Sequence, residues 1–162
     1  METSHGLQQK MVKSSTTIWR SIAPRRLLGG STLKMLSSLL RLSEFEGDLK
    51  HLKKRYPSLG EDLAVLTKAL HVWLCVLGKV GQSYDDGYVI MNNYGANGCH
   101  LYKVKHMACA AIPGKGSRTG LRVICAYWPE SDTLEFIQLY FKADNDLENQ
   151  SRVRNYVKTV QR

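Results

Sequence analysis

The chain has no apolar run near the roughly 18 residues that a membrane-crossing helix requires. That excludes a helical span, and no membrane partner is expected. It has no Cys-x-x-Cys pair. Of its four cysteines, Cys75, Cys99, Cys109 and Cys125, three stand inside apolar stretches. A free cysteine in such a setting acts as a small hydrophobe, so the pattern fits a reducing cytoplasm better than a disulfide framework. Cys99, His100, His106 and Cys109 are close in sequence but match no common zinc spacing, and strand alternation divides them between two faces. Neither a metal nor another cofactor is expected. Acidic groups are the scarce ones, with 14 Asp and Glu against 23 Lys and Arg and a formal net charge of +9. A balance of that sign favours a polyanionic partner, and nucleic acid is the first to consider.

The charge is unevenly placed. Residues 1–36 hold six basic groups (Lys10, Lys13, Arg20, Arg25, Arg26 and Lys34) against Glu2, while the remainder holds 17 basic and 13 acidic groups. Residues 1–36 are rich in Ser, Thr, Gly and basic residues and sustain no apolar period, which predicts a disordered basic extension, or one upstream of a start at Met35. It also lacks the long apolar core of a secretory signal. The expected folded domain is 37–162. That domain is only mildly basic, so binding to nucleic acid would need its cations gathered on one face.

Periodicity then sets the elements. Leu39 to Leu42 reads as a short first strand. Phe45, Leu49, Leu52 and Tyr56 recur on one helical face until Pro57 stops them, and Ser43 and Glu46 have the spacing of a capping box. Ser58 and Glu61 repeat that start. Leu59, Leu63, Leu66, Leu70, Trp73 and Leu77 then form a second apolar stripe ending near Gly78 or Gly81. Residues 81–98 are dense in turn formers and read as a loop, with a short strand at Tyr88–Met91 as an alternative. Three strands follow, at 101–107, 121–127 and 134–141, and a last helix is expected to begin at Asp144. The order β-α-α-β-β-β-α is α+β: a compact domain with an N-terminal helical hairpin packed on a small, mainly antiparallel sheet.

Cations projecting from these strands are the candidate chemistry. Lys103 and Lys105 are two apart and share a sheet face. Arg122 interrupts an otherwise apolar strand, where a lone guanidinium requires a partner or a purpose. Lys142 closes the following strand, and Lys115 and Arg118 lie on a Gly-rich loop. Such a group suits a phosphodiester, because Arg binds phosphate through two parallel donors. If the target is RNA, its 2′-OH can attack the adjacent phosphorus. A lysine among other cations can then accept the proton while Arg steadies the phosphorane, with no metal needed. Charges that alternate with apolar residues also mark an ordinary solvated face, and that reading stays open.

YKVK at Tyr102–Lys105, GKGSRTGLRVI at Gly114–Ile124 and EFIQLYFK at Glu135–Lys142 resemble the RelE/ParE-type toxin pattern. EFEGDLKHLKKRYPSLGEDL at Glu44–Leu63 and LENQSRV at Leu147–Val153 are similar to the ends of that pattern, so the resemblance spans about 38–162. It implies a RelE-like fold and a type II toxin-antitoxin toxin acting in the cytoplasm, a translation-inhibiting endoribonuclease that cleaves mRNA at the ribosome. It also implies restraint by a cognate antitoxin protein. Lys103, Lys105 and Arg122 match the catalytic strand cations, and Lys142 a basic group at the last strand's end; Lys115 and Arg118 are counted with it as RNA-binding. The chain departs from the pattern at Ala143, where many active members carry Arg, and in 144–150, which has no early Tyr or His. The departures keep two alternatives in view: a ParE-like toxin that binds DNA gyrase without nuclease activity, and a degenerate, non-catalytic toxin homologue.

Overall fold

The computed structural model describes residues 36–161; residues 1–35, and with them nearly all of the expected extension, lie outside the described residues. The strands are β1 (Ser38–Arg41), β2 (Tyr88–Ile90), β3 (His100–Val104), β4 (Leu121–Trp128) and β5 (Thr133–Phe141). The helices are α1 (Ser43–Lys53), α2 (Leu59–His71) and α3 (Gln150–Val160). The protein is α+β with one mixed five-stranded sheet in the order β1-β5-β4-β3-β2. Only β1 runs parallel to its neighbour, β5; the other pairs are antiparallel. The stretch left as loop or short strand supplies the edge strand β2, so the order gains one strand over the expected β-α-α-β-β-β-α. No helix among the described residues is long and apolar enough to cross a membrane.

The two predicted stripes build the larger core. Phe45, Leu59, Leu63 and Leu70 are fully buried against Tyr102, Val104, Val123 and Phe136 on one sheet face. Each such side chain contributes about 1.5–3 kcal/mol of transfer free energy. On the opposite face, Val153, Tyr156 and Val157 of α3 pack on Leu101, Ile124 and Ile137. Tyr156 is a core residue, donating its hydroxyl to Glu135 at 2.6 Å and accepting from the Trp128 indole at 3.1 Å. The cysteines are buried on both faces, and burial pushes the Cys125 thiol up to about 12.

Local chemistry differs from the expected pattern in four places. Neither capping box forms. The residue before α1 is Leu42, and Glu46 turns to Arg41 of β1 at 3.3 Å instead of the helix start. Ser58 is claimed by tertiary contacts: its hydroxyl donates to Asp62 at 2.7 Å and accepts from the Ala111 amide at 2.9 Å. The α2 stripe runs into a π-helical turn over Val72–Val76, closed by the Leu77 amide donating to the Val72 carbonyl at 2.9 Å. The wider turn rotates the face, so Trp73, Leu74 and Cys75 are buried while Leu77 is 58% exposed. The last helix starts at Gln150, six residues later than expected. Asn149 caps it, its side chain accepting from the Arg152 amide at 3.0 Å, and 144–149 is irregular.

Candidate nucleic-acid interface

Residues of β4 alternate between the two cores. Val123 and Cys125 face the helical hairpin, while Ile124 and Ala126 face α3. Arg122 therefore points to the α3 side. Lys103 lies opposite Ile124 in the β3–β4 register and shares that side, between the hairpin-facing Tyr102 and Val104. Lys105 follows the last residue of β3, its amide donating to the Gly87 carbonyl at 2.7 Å. Beyond β5, the Lys142 amide donates to the Gly120 carbonyl at 2.8 Å. The end of β3, the start of β4 and the end of β5 meet at one end of an antiparallel array. Lys105, Arg122 and Lys142 are thereby gathered there, with Lys103 two residues further in.

A β-bulge adds a residue to this face. The register pairs Ile124 with Gln138 but Cys125 with Phe136, so β5 carries one extra residue at Ile137. Unbroken alternation from Leu134 would turn Tyr140 toward the hairpin. After the bulge it lies opposite Arg122 and packs in the α3-side core. Burial, reinforced by the charge of Glu148, pushes the Tyr140 hydroxyl up to about 12.

The cations are not bare. The Arg122 guanidinium donates to the Lys105 carbonyl and to its neighbour's, Leu121, at 3.1 Å, which answers the need for a partner in an apolar strand. The Lys105 ammonium lies 3.7 Å from Asp86, which is itself 87% exposed. Lys142 reaches Asp146 at 4.0 Å, also in solvent. Lys103 is ion-paired with Glu148, and this pair is largely enclosed, with side chains 19% and 7% exposed. The Tyr94 hydroxyl donates to the other Glu148 oxygen at 3.0 Å. Burial by itself would raise the Glu148 carboxyl. The close Lys103 ammonium and the hydrogen bonds from its own amide and Tyr94 outweigh burial and hold it below the usual carboxylate range. The ammonium of Lys103 thus faces a carboxylate, where the sequence pattern led us to expect other cations.

Lys115 and Arg118 are exposed on a loop of their own, and Arg118 is bridged by its backbone to Met107, two residues past Lys105. Their loop is fastened to the hairpin layer: the Ala110 amide donates to Asp62, the Ala111 amide to Ser58, and Cys109 packs in the hairpin-side core. The Arg118 end is tied down by Thr119, whose hydroxyl donates to the Met107 carbonyl at 2.7 Å. Cys99 and Cys109 belong to opposite cores, although simple alternation over ten positions would put them on one side; both lie outside β3.

Three members of the face were not singled out from sequence: Tyr94, Tyr140 and Glu148. Tyr140 is hidden by the bulge, and Tyr94 sits on a 3-10 turn (Asn92–Tyr94) inside the turn-rich stretch. Glu148 did carry a signal, as one of three acids at alternate positions just after Lys142, in a chain where acids are scarce. We found no family model matching this chain, and no curated protein or solved structure that matches it significantly.

Proposed function

We propose that this protein is a RelE-type toxin of a type II toxin-antitoxin system: a metal-independent endoribonuclease that cleaves mRNA at the ribosome and is held in check by a cognate antitoxin. The observation that carries the reading is the convergence of Lys105, Arg122 and Lys142 at one end of the sheet, with Lys103 on the same face. A helical hairpin covers the other face, which is the arrangement expected of a compact RelE-like domain. In this reading the lysine ammonium groups bind the backbone and Arg122 steadies the phosphorane formed as the 2′-oxygen attacks phosphorus; a lysine in its free-amine form takes the 2′-hydroxyl proton, and a lysine ammonium protonates the 5′-oxygen as its bond to phosphorus breaks. Lys142 extends the phosphate track. Lys115 and Arg118, on the adjoining loop, are the further RNA contacts.

Two observations favour a second reading. Glu148 already neutralises Lys103, and Ala143 stands where many active members carry Arg. Both suit a ParE-like toxin that binds DNA gyrase without cutting RNA, or a non-catalytic homologue. Primer extension on mRNA in a translating extract decides between them. The nuclease reading expects breaks within coding sequence that vanish in Lys103→Ala and Arg122→Ala. Intact mRNA, with stalled gyrase on supercoiled plasmid, would sink it.

A further inference from the structure

Ala143–Asn149 crosses from the end of β5 to the start of α3 without regular structure. Two of its three acids engage cations from elsewhere in the fold, and the third pairs with its near neighbour Lys142. Asp144 meets Arg55, just beyond α1, at 2.8 Å; Asp146 meets Lys142 at 4.0 Å; Glu148 meets Lys103 on β3. Between them Leu147 is 59% exposed, so it does not anchor the segment. The segment is held by its ion pairs, by the Asp144 and Asn145 amides donating to the Phe141 carbonyl at 3.0 and 3.1 Å, by the Tyr94 hydrogen bond to Glu148 and by the Asn149 amide donating to Gln138 at 2.9 Å. The acids recur every second residue; Asp144 is held on the hairpin side by Arg55, while Asp146 and Glu148 meet Lys142 and Lys103 of the candidate face.

We propose that Asp146 and Glu148 are a built-in mimic of two backbone phosphates on the basic face, and that the Glu148 carboxylate must lift off Lys103 before single-stranded RNA can bind there. The proposal rests on the reading of this face as a phosphodiester site. It explains why the most enclosed lysine of the group, Lys103, is the one matched by the most enclosed acid. The segment ends at the cap of α3, so its release needs only the irregular stretch to move, while α3 keeps its packing on Ile124 and Ile137.

The test is fluorescence anisotropy on the full chain with a labelled single-stranded RNA carrying 2′-O-methyl groups, which cannot be cleaved by 2′-OH attack. Glu148→Gln keeps the shape and an acceptor for Tyr94 while removing the charge, and is expected to bind about tenfold more tightly than the parent. That gain should disappear when Lys103→Ala is added. Glu130→Gln, an exposed control on the turn between β4 and β5, should change binding less than twofold. If Glu148→Gln does not fold, Asp146→Asn at its solvent-exposed position serves, with about a twofold gain expected. Equal binding by the parent and the acid variants, with Lys103→Ala or Arg122→Ala still weakening it, overturns the mimic and leaves the phosphodiester face standing. No binding by any of them, or binding indifferent to Lys103 and Arg122, overturns both.

Discussion

The guanidinium of Arg122, on β4, donates to the backbone carbonyl of Lys105, just past the end of β3. A side chain proposed to stabilise a transition state is thus also a clasp between two strand ends. The second donor contact, to Leu121, fixes the fork from the side of its own strand.

Replacing Arg122 should therefore show two separable losses. Arg122→Lys keeps the charge but not the fork, and cleavage in the extract should fall about a hundredfold. Arg122→Met also leaves the Lys105 carbonyl without its donor and should lower stability by about 1–3 kcal/mol, read from the urea midpoint. Full cleavage by Arg122→Lys would remove Arg122 from the chemistry and leave it the clasp alone.

The Lys103–Glu148 pair predicts an acid-sensitive component of stability. Because the folded Glu148 carboxyl is held below its ordinary value of 4.5, its contribution is complete above that value and is lost as pH falls through the lower folded one. Urea unfolding from pH 6 down to pH 2.5 should show the parent losing more stability than the Lys103→Met, Glu148→Gln double variant. Lys103→Met alone strands a largely enclosed carboxylate and should be the least stable of the three at neutral pH, by about 2–4 kcal/mol. Parallel profiles for parent and double variant would contradict the assignment.

Gly120 is where the backbone itself is constrained. Its φ is +93°, and a Cβ there would stand 2.9 Å from the Phe141 ring. That ring packs on Tyr56 at 5.7 Å between centroids and lies beneath the Arg55 guanidinium. Gly120→Ala should cost about 1–3 kcal/mol through strain and displacement of Phe141. A thermal melt measures it, and a melting temperature equal to the parent's would show that the turn relaxes freely.

Much of the fold was legible because it rests on repeating local patterns. Phe45, Leu49 and Leu52 are buried as their spacing predicts, and the stripe from Leu59 to Trp73 holds as far as the π-helical turn. β4 alternates as read, and β3 does so as far as Val104, where it ends short of the expected 107 and leaves Lys105 beyond it. Where the reading failed, a long-range partner had taken over a local signal. Ser58 has the spacing of a cap, yet it serves the loop at Ala111. Asp144 looks like a helix start, yet its carboxylate is bound to Arg55.

The candidate site divides along the same line. The amino-acid pattern by itself determined that Lys103 points opposite to Tyr102 and Val104 along its strand, because side-chain direction along a strand has a period of two. It also determined that a chain with so few acids carries three of them at alternate positions straight after Lys142. Only the tertiary structure decided that β3 and β4 lie side by side with Lys103 opposite Ile124, that a bulge turns Tyr140 to Arg122, and that Glu148 closes on Lys103. These are pairings across 18 to 45 positions of chain. They are set by strand register and by the charge an enclosed group requires, and neither is encoded in the residues adjacent to it.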